Sequence, residues 1–245
     1  MMTEIVYEDA DILVVYKPAG LATQTAKTGQ KDVVSELKNY LQRSRKEPGG
    51  ARGGSEPYLG VLHRLDQPVE GLLVFAKNKK TAAALSGQLQ GRGEEESFCK
   101  RYYAVLCGIP AQKEGEMTGW ICKDRGNRAV VRNYPGEGQD GAKFRRAVLH
   151  YKILQTREDY GIVLAEIRLE TGRFHQIRAQ AAHEGFPLLG DGKYGTEEKG
   201  RKAEEMGVAN AALCACSLEF FHPVLRKKMH FQIKPKNKAF TYFLL

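Results

Sequence analysis

The chain has 245 residues, 42% hydrophobic and 27% charged, a balance that folds into a globular protein and excludes a low-complexity or disordered one. Lysine and arginine number 38 against 29 acidic residues, a net charge of +9, so the chain attracts polyanions; charge alone leaves nucleic acid, an acidic membrane surface and simple solubility open. No apolar run approaches the roughly 18 residues of a membrane span and the N-terminus carries no signal-peptide pattern, so neither a membrane nor a secreted protein is expected, and a cytoplasmic one is.

In chain order, residues 11–16 are β-branched and aromatic and predict a strand, closed by Lys17-Pro18-Ala19-Gly20 as a turn. Over residues 32–42, Val33, Val34, Leu37, Tyr40 and Leu41 fall at helical spacing, with Asp32 available as a cap. Residues 45–57 lack apolar periodicity and predict a mobile basic loop. A strand at 58–65, a turn at 66–71 and a strand at 72–76 follow, then an alanine- and leucine-rich helix at 81–90 and a strand at 101–106. No helical period appears between 111 and 141, where short strands joined by turns are expected. Residues 147–155 and 161–169 alternate and predict an antiparallel pair across the turn at 157–160. Thr171-Gly172 opens a helix with its apolar repeat in 174–183, stopped by Gly185-Phe186-Pro187, and strands at 212–220 and 229–234 end the chain.

Strands joined by turns, with helices as insertions and no repeating β-α-β unit, predict an α+β fold: a single domain over residues 1–245, built on a mainly antiparallel mixed sheet with flanking helices. Five scattered cysteines are too many to pair off evenly and suit reduced thiols. Cys214 and Cys216 lie on one face of an apolar strand, where small core side chains are expected rather than metal ligands. Basic residues gather at 43–46, 77–80, 125–132, 143–146 and 226–228, and each cluster alone is an ordinary solvated face.

His63-Arg64-Leu65-Asp66, with Glu70-Gly71 shortly after, is the densest group of functional side chains. An Arg beside an Asp is usually a surface pair worth at most about 1 kcal/mol. Here the carboxylate ends a strand inside a turn bounded by Pro68 and Gly71, between two apolar segments, where it is held and partly desolvated.

Residues 61–66 with 71–77, Val61-Leu62-His63-Arg64-Leu65-Asp66 and Gly71-Leu72-Leu73-Val74-Phe75-Ala76-Lys77, resemble the signature segment of the RluA-type pseudouridine synthases, which isomerise uridine in structured RNA. Residues 11–20, 100–108, 171–178 (Thr171-Gly172-Arg173-Phe174-His175-Gln176-Ile177-Arg178) and 187–195 resemble further motifs of that family in order, and Phe221-His222-Pro223 fits as well. The resemblance implies a pseudouridine synthase fold with Asp66 as the catalytic aspartate, Tyr102 packing on the target base and Arg178 pairing with the aspartate. It places Arg64 toward the RNA and gives RNA-binding positions to His63, Arg173, His175 and Gln176. By their neighbours alone, the two histidines read as structural, not as acid-base or metal groups.

The implied reaction breaks the bond from ribose C1′ to N1, turns the uracil and rejoins C1′ to C5, so it is redox-neutral. It calls for no metal and no small-molecule cofactor, and no P-loop or dinucleotide fingerprint occurs in the chain. The aspartate acts as nucleophile at the sugar or the base, or as a proton base, and the residues do not select among these. The expected partner is structured RNA, ribosomal or transfer, and not a membrane; the oligomeric state is not set, and a monomer is compatible with the sequence. No separate N-terminal RNA-binding domain is expected. Val69-Glu70 and Ala179-Gln180 depart from the family's pattern and bear on substrate choice or packing. Two rival readings differ in class. Asp66 and Glu70 as the carboxylate pair of a glycoside hydrolase fit poorly with one tryptophan and a strong positive charge. A non-catalytic RNA-binding protein on the same scaffold would function without the Asp66 carboxylate.

Overall fold

A computed structural model of the chain describes residues 2–25, 29–44, 56–91, 98–138 and 141–245. Most of the basic loop expected at 45–57 lies outside the described residues. The strands are β1 (Glu4–Glu8), β2 (Ile12–Lys17), β3 (Gly60–Val61), β4 (Glu70–Ala76), β5 (Cys99–Cys107), β6 (Glu114–Lys123), β7 (Ala129–Arg132), β8 (Arg145–Arg157), β9 (Ile162–Leu169), β10 (Leu213–Phe221) and β11 (Lys228–Gln232). The helices are α1 (Val33–Ser44), α2 (Lys79–Leu89), α3 (Gln176–His183) and α4 (Glu197–Glu205). None of the described helices is long and apolar enough to cross a membrane.

The chain divides into two compact units, Met1–Cys99 with Cys216–Ile233, and Lys100–Ala215 with Lys234–Leu245. In the first, strands follow the order β1-β2-β4-β10, with β3 against β4 and β11 against β10. The β1–β2, β2–β4, β3–β4 and β10–β11 pairs are antiparallel. Ile12, Val14, Leu72 and Val74 pack with Leu85 of α2 and with Leu218, Phe220 and Met229. Their alternates Leu13, Val15, Leu73 and Phe75 are also buried, so both faces of this sheet are covered. Asp32 caps α1 as expected, its Oδ1 accepting the Ser35 amide at 2.7 Å.

In the second unit the order is β5-β9-β8-β6-β7, every neighbouring pair antiparallel. Helix α3 lies on β6 and β7, where Ala129, Ala147 and Ala179 pack with Ile121 and Tyr194; small side chains at the contact let the helix approach closely. The departure at Ala179-Gln180 fits this packing, because Gln180 Nε2 donates to the Met117 carbonyl at 2.9 Å and reaches that of Ala147 at 3.3 Å. The fold is α+β on antiparallel sheet, as the sequence predicts, and the antiparallel pairing of residues 147–155 with 161–169 appears as β8 and β9. Cys107, Cys122, Cys214 and Cys216 are buried, and burial pushes the Cys107 thiol up, as in an inert core cysteine.

Four expectations are corrected. The strand at 58–65 shrinks to β3, because the groups that would continue its ladder are taken by side chains: Val74 donates its amide to His63 Nε2 at 3.3 Å, and the Thr23 hydroxyl donates to the Leu65 carbonyl at 2.9 Å and accepts its amide at 3.1 Å. The helix opened by Thr171 begins only at Gln176, since Gln176 Oε1 accepts the Thr171 hydroxyl and the Arg173 amide, each at 2.9 Å, and holds 171–175 as a turn. Between 111 and 141, β6 runs ten residues and is not short. Helix α4 and strand β1 arise where no element was predicted; α4 buries only Ala203 and so carries no apolar stripe to read.

Candidate active site

In the first unit Asp66 opens a tight turn in which the Val69 amide donates to the Asp66 carbonyl at 3.1 Å. The turn is fixed from both sides. Before it, both backbone groups of Leu65 are bonded to Thr23. Within it, the Gln67 carbonyl accepts the Gly20 amide at 2.8 Å, and Gln67 Nε2 donates back to the Gly20 carbonyl at 3.0 Å. Gly20 sits at φ 88°, a conformation that favours glycine.

Lys17 ties the same two turns together. It is buried at 0% exposure, and its Nζ donates to the carbonyls of Pro18 (3.0 Å), Leu21 (2.6 Å) and Gln67 (3.2 Å). Three acceptors use all three ammonium protons, whereas a neutral amine has only two to give. Burial pulls the Lys17 pKa down to about 7, against the opposing pull of the Asp66 and Glu70 charges. Glu70 is itself buried and accepts the Tyr16 hydroxyl at 2.6 Å, so the departure at Val69-Glu70 places a second, internally bonded carboxylate close to this turn.

Arg64 is exposed and Asp66 half-buried. The His63 ring, besides taking the Val74 amide, lies edge-on to Phe98 at 5.6 Å, and Phe98 stacks on Phe220. His63 is thus engaged within the fold and shapes the strand that leads to Asp66.

The second unit carries the other predicted residues, Tyr102 on β5 and the rest in and just before α3. Tyr102 is buried on β5, opposite Ile167 of β9. Arg178 is buried in α3 and grips Asp191 with two bonds of 2.7 Å, Nε to Oδ2 and Nη2 to Oδ1. Asp191 Oδ1 also accepts the amides of Lys193 (3.0 Å) and Tyr194 (3.2 Å), so the anion that orients the guanidinium is itself held by backbone. Gly190 precedes it at φ 76°, and a Cβ there would meet the Asn210 carbonyl at 2.5 Å, which leaves glycine as the residue that fits. The Gln176 side chain faces inward, its Nε2 donating to the Val148 carbonyl at 3.0 Å. Arg173 is half-buried, with Nε on the Arg146 carbonyl at 2.9 Å. His175 takes a left-handed backbone at φ 51°, and its Nδ1 lies 2.8 Å from the Tyr194 hydroxyl.

Sequence reasoning passed over Lys17, Thr23 and Asp191. Lys17 and Asp191 lie in segments read only as turn or motif, and nothing in the sequence near Thr23 shows that its hydroxyl replaces a strand partner for Leu65, 42 residues away.

Asp9, Asp11 and His222 carry ligand-type atoms within 4.8 Å of one another. His222 Nδ1 accepts the amides of Val224 (3.2 Å) and Leu225 (3.0 Å), which puts its proton on Nε2, 3.0 Å from Asp9 Oδ2. Asp9 Oδ1 accepts two amides, of Asp11 and Ile12. Burial raises the Asp9 pKa, but these amides, the Tyr7 hydroxyl and His222 outweigh it and hold the carboxyl below its ordinary range. With the nitrogen that faces the acids carrying the ring's proton, it has no lone pair to offer, and the cluster is a structural contact and a poor cation site.

A sequence model of the family described as RNA pseudouridylate synthase matches residues 11–183. The chain is 33% identical to the "Ribosomal large subunit pseudouridine synthase D" of Zymomonas mobilis, across 99% of this chain and 72% of that protein. It is 32% identical to the "Uncharacterized RNA pseudouridine synthase YhcT" of Bacillus subtilis, across 98% of this chain and 72% of that one. In structure it is similar to human "RNA Pseudouridylate Synthase Domain Containing 4", with a TM-score of 0.72 and 22% identity over 95% of this chain and 89% of the human one, a likeness of fold. Agreement of the family's sequence pattern with relatives a third identical along nearly the whole chain means that this chain belongs to the RNA pseudouridylate synthases, of the RluA type, and is an RNA-modifying isomerase.

Proposed function

We propose that the enzyme converts one specific uridine of a structured RNA to pseudouridine, with Asp66 as the catalytic carboxylate, and that large-subunit ribosomal RNA is the first substrate to test, since relatives from Zymomonas mobilis and Rickettsia conorii carry that target in their names. The observation that carries this reading is the anchoring of the Asp66 turn. Thr23 holds the residue before the aspartate, and Lys17 and Gly20 hold the residue after it. A carboxylate fixed on both sides of its own backbone is placed for chemistry on a bound nucleotide and loses little freedom on binding.

In the reaction the C1′–N1 bond breaks, the uracil turns, C1′ joins C5, and the C5 proton is lost while N1 regains one. The Asp66 carboxylate acts as nucleophile at the sugar or the base, or as proton acceptor. Tyr102 supplies a flat ring with a polar tip against the extruded base, a contact worth roughly 1–3 kcal/mol. Arg178, which the family resemblance pairs with the catalytic aspartate, has its guanidinium fixed by Asp191 along its Nε and Nη2 edge. Arg64, exposed beside the turn, meets the displaced RNA strand. His63 and Gln176, both bonded within the fold, act as positioning residues at the RNA-binding surface. Reduced thiols suit a cytoplasmic setting.

The test is a map of pseudouridine across ribosomal and transfer RNA from cells with and without the protein, with the parent or Asp66→Ala added back. A site lost with the protein, restored by the parent and not by Asp66→Ala supports the reading. Restoration by Asp66→Ala would overturn Asp66 as the catalytic carboxylate.

A further inference from the structure

In the second unit an aromatic ladder stands beside the β6–β7 hairpin. Phe174 is 38% exposed, and its ring lies on His175 with centroids 3.8 Å apart and 20° between planes. His175 meets the buried Tyr194 edge-on, at 5.7 Å and 87°. The Tyr194 hydroxyl accepts the Ala129 amide of β7 at 2.8 Å and is hydrogen-bonded to His175 Nδ1, also at 2.8 Å. The middle ring is therefore fixed at its edge by a hydrogen bond and at its face by Phe174.

Cations lie over the ladder's rings. Lys123 Nζ is over Phe174, 5.1 Å from its centroid and on the face that His175 leaves open, and the Arg128 guanidinium is over Tyr194 at 4.9 Å. Lys193 Nζ bonds the Asn127 carbonyl and ties the tip of the hairpin to the ladder's base. Residues 123–132 hold four cations and one carboxylate, Asp124, whose Oδ1 is turned to the Arg128 amide at 2.7 Å. A single exposed phenylalanine is ordinary on a protein surface. Phe174 differs in resting on a second ring that is locked in place and in carrying a cation over its other face, the pairing of flat apolar surface and positive charge that suits an unstacked base and its phosphates.

We propose that the Phe174–His175–Tyr194 ladder is a stacking platform for an unpaired nucleotide of the RNA substrate. The base takes the face of Phe174 that the exposed Lys123 side chain covers in the free protein, and the displaced ammonium turns with Arg128 and Arg173 to the neighbouring phosphates. An acidic peptide would use the cations but not the ring, and a duplex presents no open base face. The inference rests on RNA being the substrate and adds a subsite to that reading.

The full chain is titrated with a fluorescein-labelled, uridine-free single-stranded oligoribonucleotide of about 10 nucleotides, a length within the range one such domain covers. Phe174→Ala and Phe174→Leu are expected to weaken binding about 10-fold with the salt slope unchanged. Phe174→Trp is expected to bind as well as the parent, with its added emission quenched by the RNA. Lys123→Ala and Arg128→Ala are expected to lower the salt slope by about one each. Parent-like binding by both Phe174→Ala and Phe174→Leu overturns the platform, as does equal competition by oligoglutamate of the same charge. If the parent forms no pseudouridine in any cellular RNA, the functional reading fails; if it does, and the Phe174 variants bind and turn over like the parent, only the platform fails.

Discussion

The Lys17 ammonium reaches the Gln67 carbonyl, one residue past Asp66, at 3.2 Å from a position with no exposure to water. An ammonium held there satisfies three carbonyls, yet its burial brings its pKa down to about 7. The unfolded chain keeps an ordinary lysine, so between about pH 7 and pH 10.5 the unfolded state binds more protons than the folded one. The stability contribution of this group therefore rises with pH across that window, by at most about 1.4 kcal/mol per unit. Urea unfolding of the parent and of Lys17→Met at pH 6, 7, 8 and 9 is expected to show the difference moving in the parent's favour above pH 7. A difference that stays constant with pH would refute the neutralisation.

Asp191 is expected to be as necessary as Arg178 itself. The pair is sealed, with side chains 5% and 0% exposed, and removing Asp191 takes away both 2.7 Å bonds that hold the buried guanidinium. Asp191→Ala should lower stability by about 3–5 kcal/mol, while replacing both residues by apolar ones of similar size recovers most of that. Urea midpoints of the single and double variants measure this directly. A loss in Asp191→Ala below about 1 kcal/mol would mean that the guanidinium has another sufficient partner.

The Thr23 hydroxyl serves both backbone groups of Leu65. Thr23→Val keeps the shape and orphans a buried amide and carbonyl, with an expected cost of about 1–3 kcal/mol. Because those groups fix the approach to Asp66, turnover should fall further than stability predicts, with kcat lowered and KM little changed. Thr23→Ser, which restores the hydroxyl, should recover kcat, and no difference between Val and Ser at this position would remove the positioning role.

These predictions fall on residues whose roles were invisible in the sequence, and the reason is physical. The Asp66 turn was legible because Pro68 and Gly71 punctuate two apolar runs, and β8 and β9 because alternation extends along both strands. What local pattern cannot report is which distant side chain satisfies a backbone group. Residues 58–65 look like a strand, and only the folded chain shows Thr23 and His63 taking the ladder's place. Helix α4, with Ala203 as its one buried residue, forms on its Thr196 cap and its leading Glu197 and Glu198, signals much weaker than an apolar stripe. Arg178 was found through resemblance to a motif, whereas Asp191, in a Gly-Asp-Gly stretch, has the composition of an ordinary turn.

Tyr102 separates a core role from a catalytic one most sharply. It is 5% exposed on β5, so truncation to alanine would damage packing whatever else it did. Tyr102→Phe keeps the ring and loses the hydroxyl; Tyr102→Leu keeps apolar bulk and loses the flat face. If the ring packs on the target base, Phe should retain much of the turnover and Leu should lose about 10-fold or more, the loss expected for a stacking contact of roughly 1–3 kcal/mol. If the residue is only core, turnover in both variants should follow their melting temperatures. Single-turnover rates at saturating RNA, set beside thermal midpoints, decide between the two: a Leu variant that unfolds near the Phe variant's midpoint yet reacts far more slowly places the ring against the base.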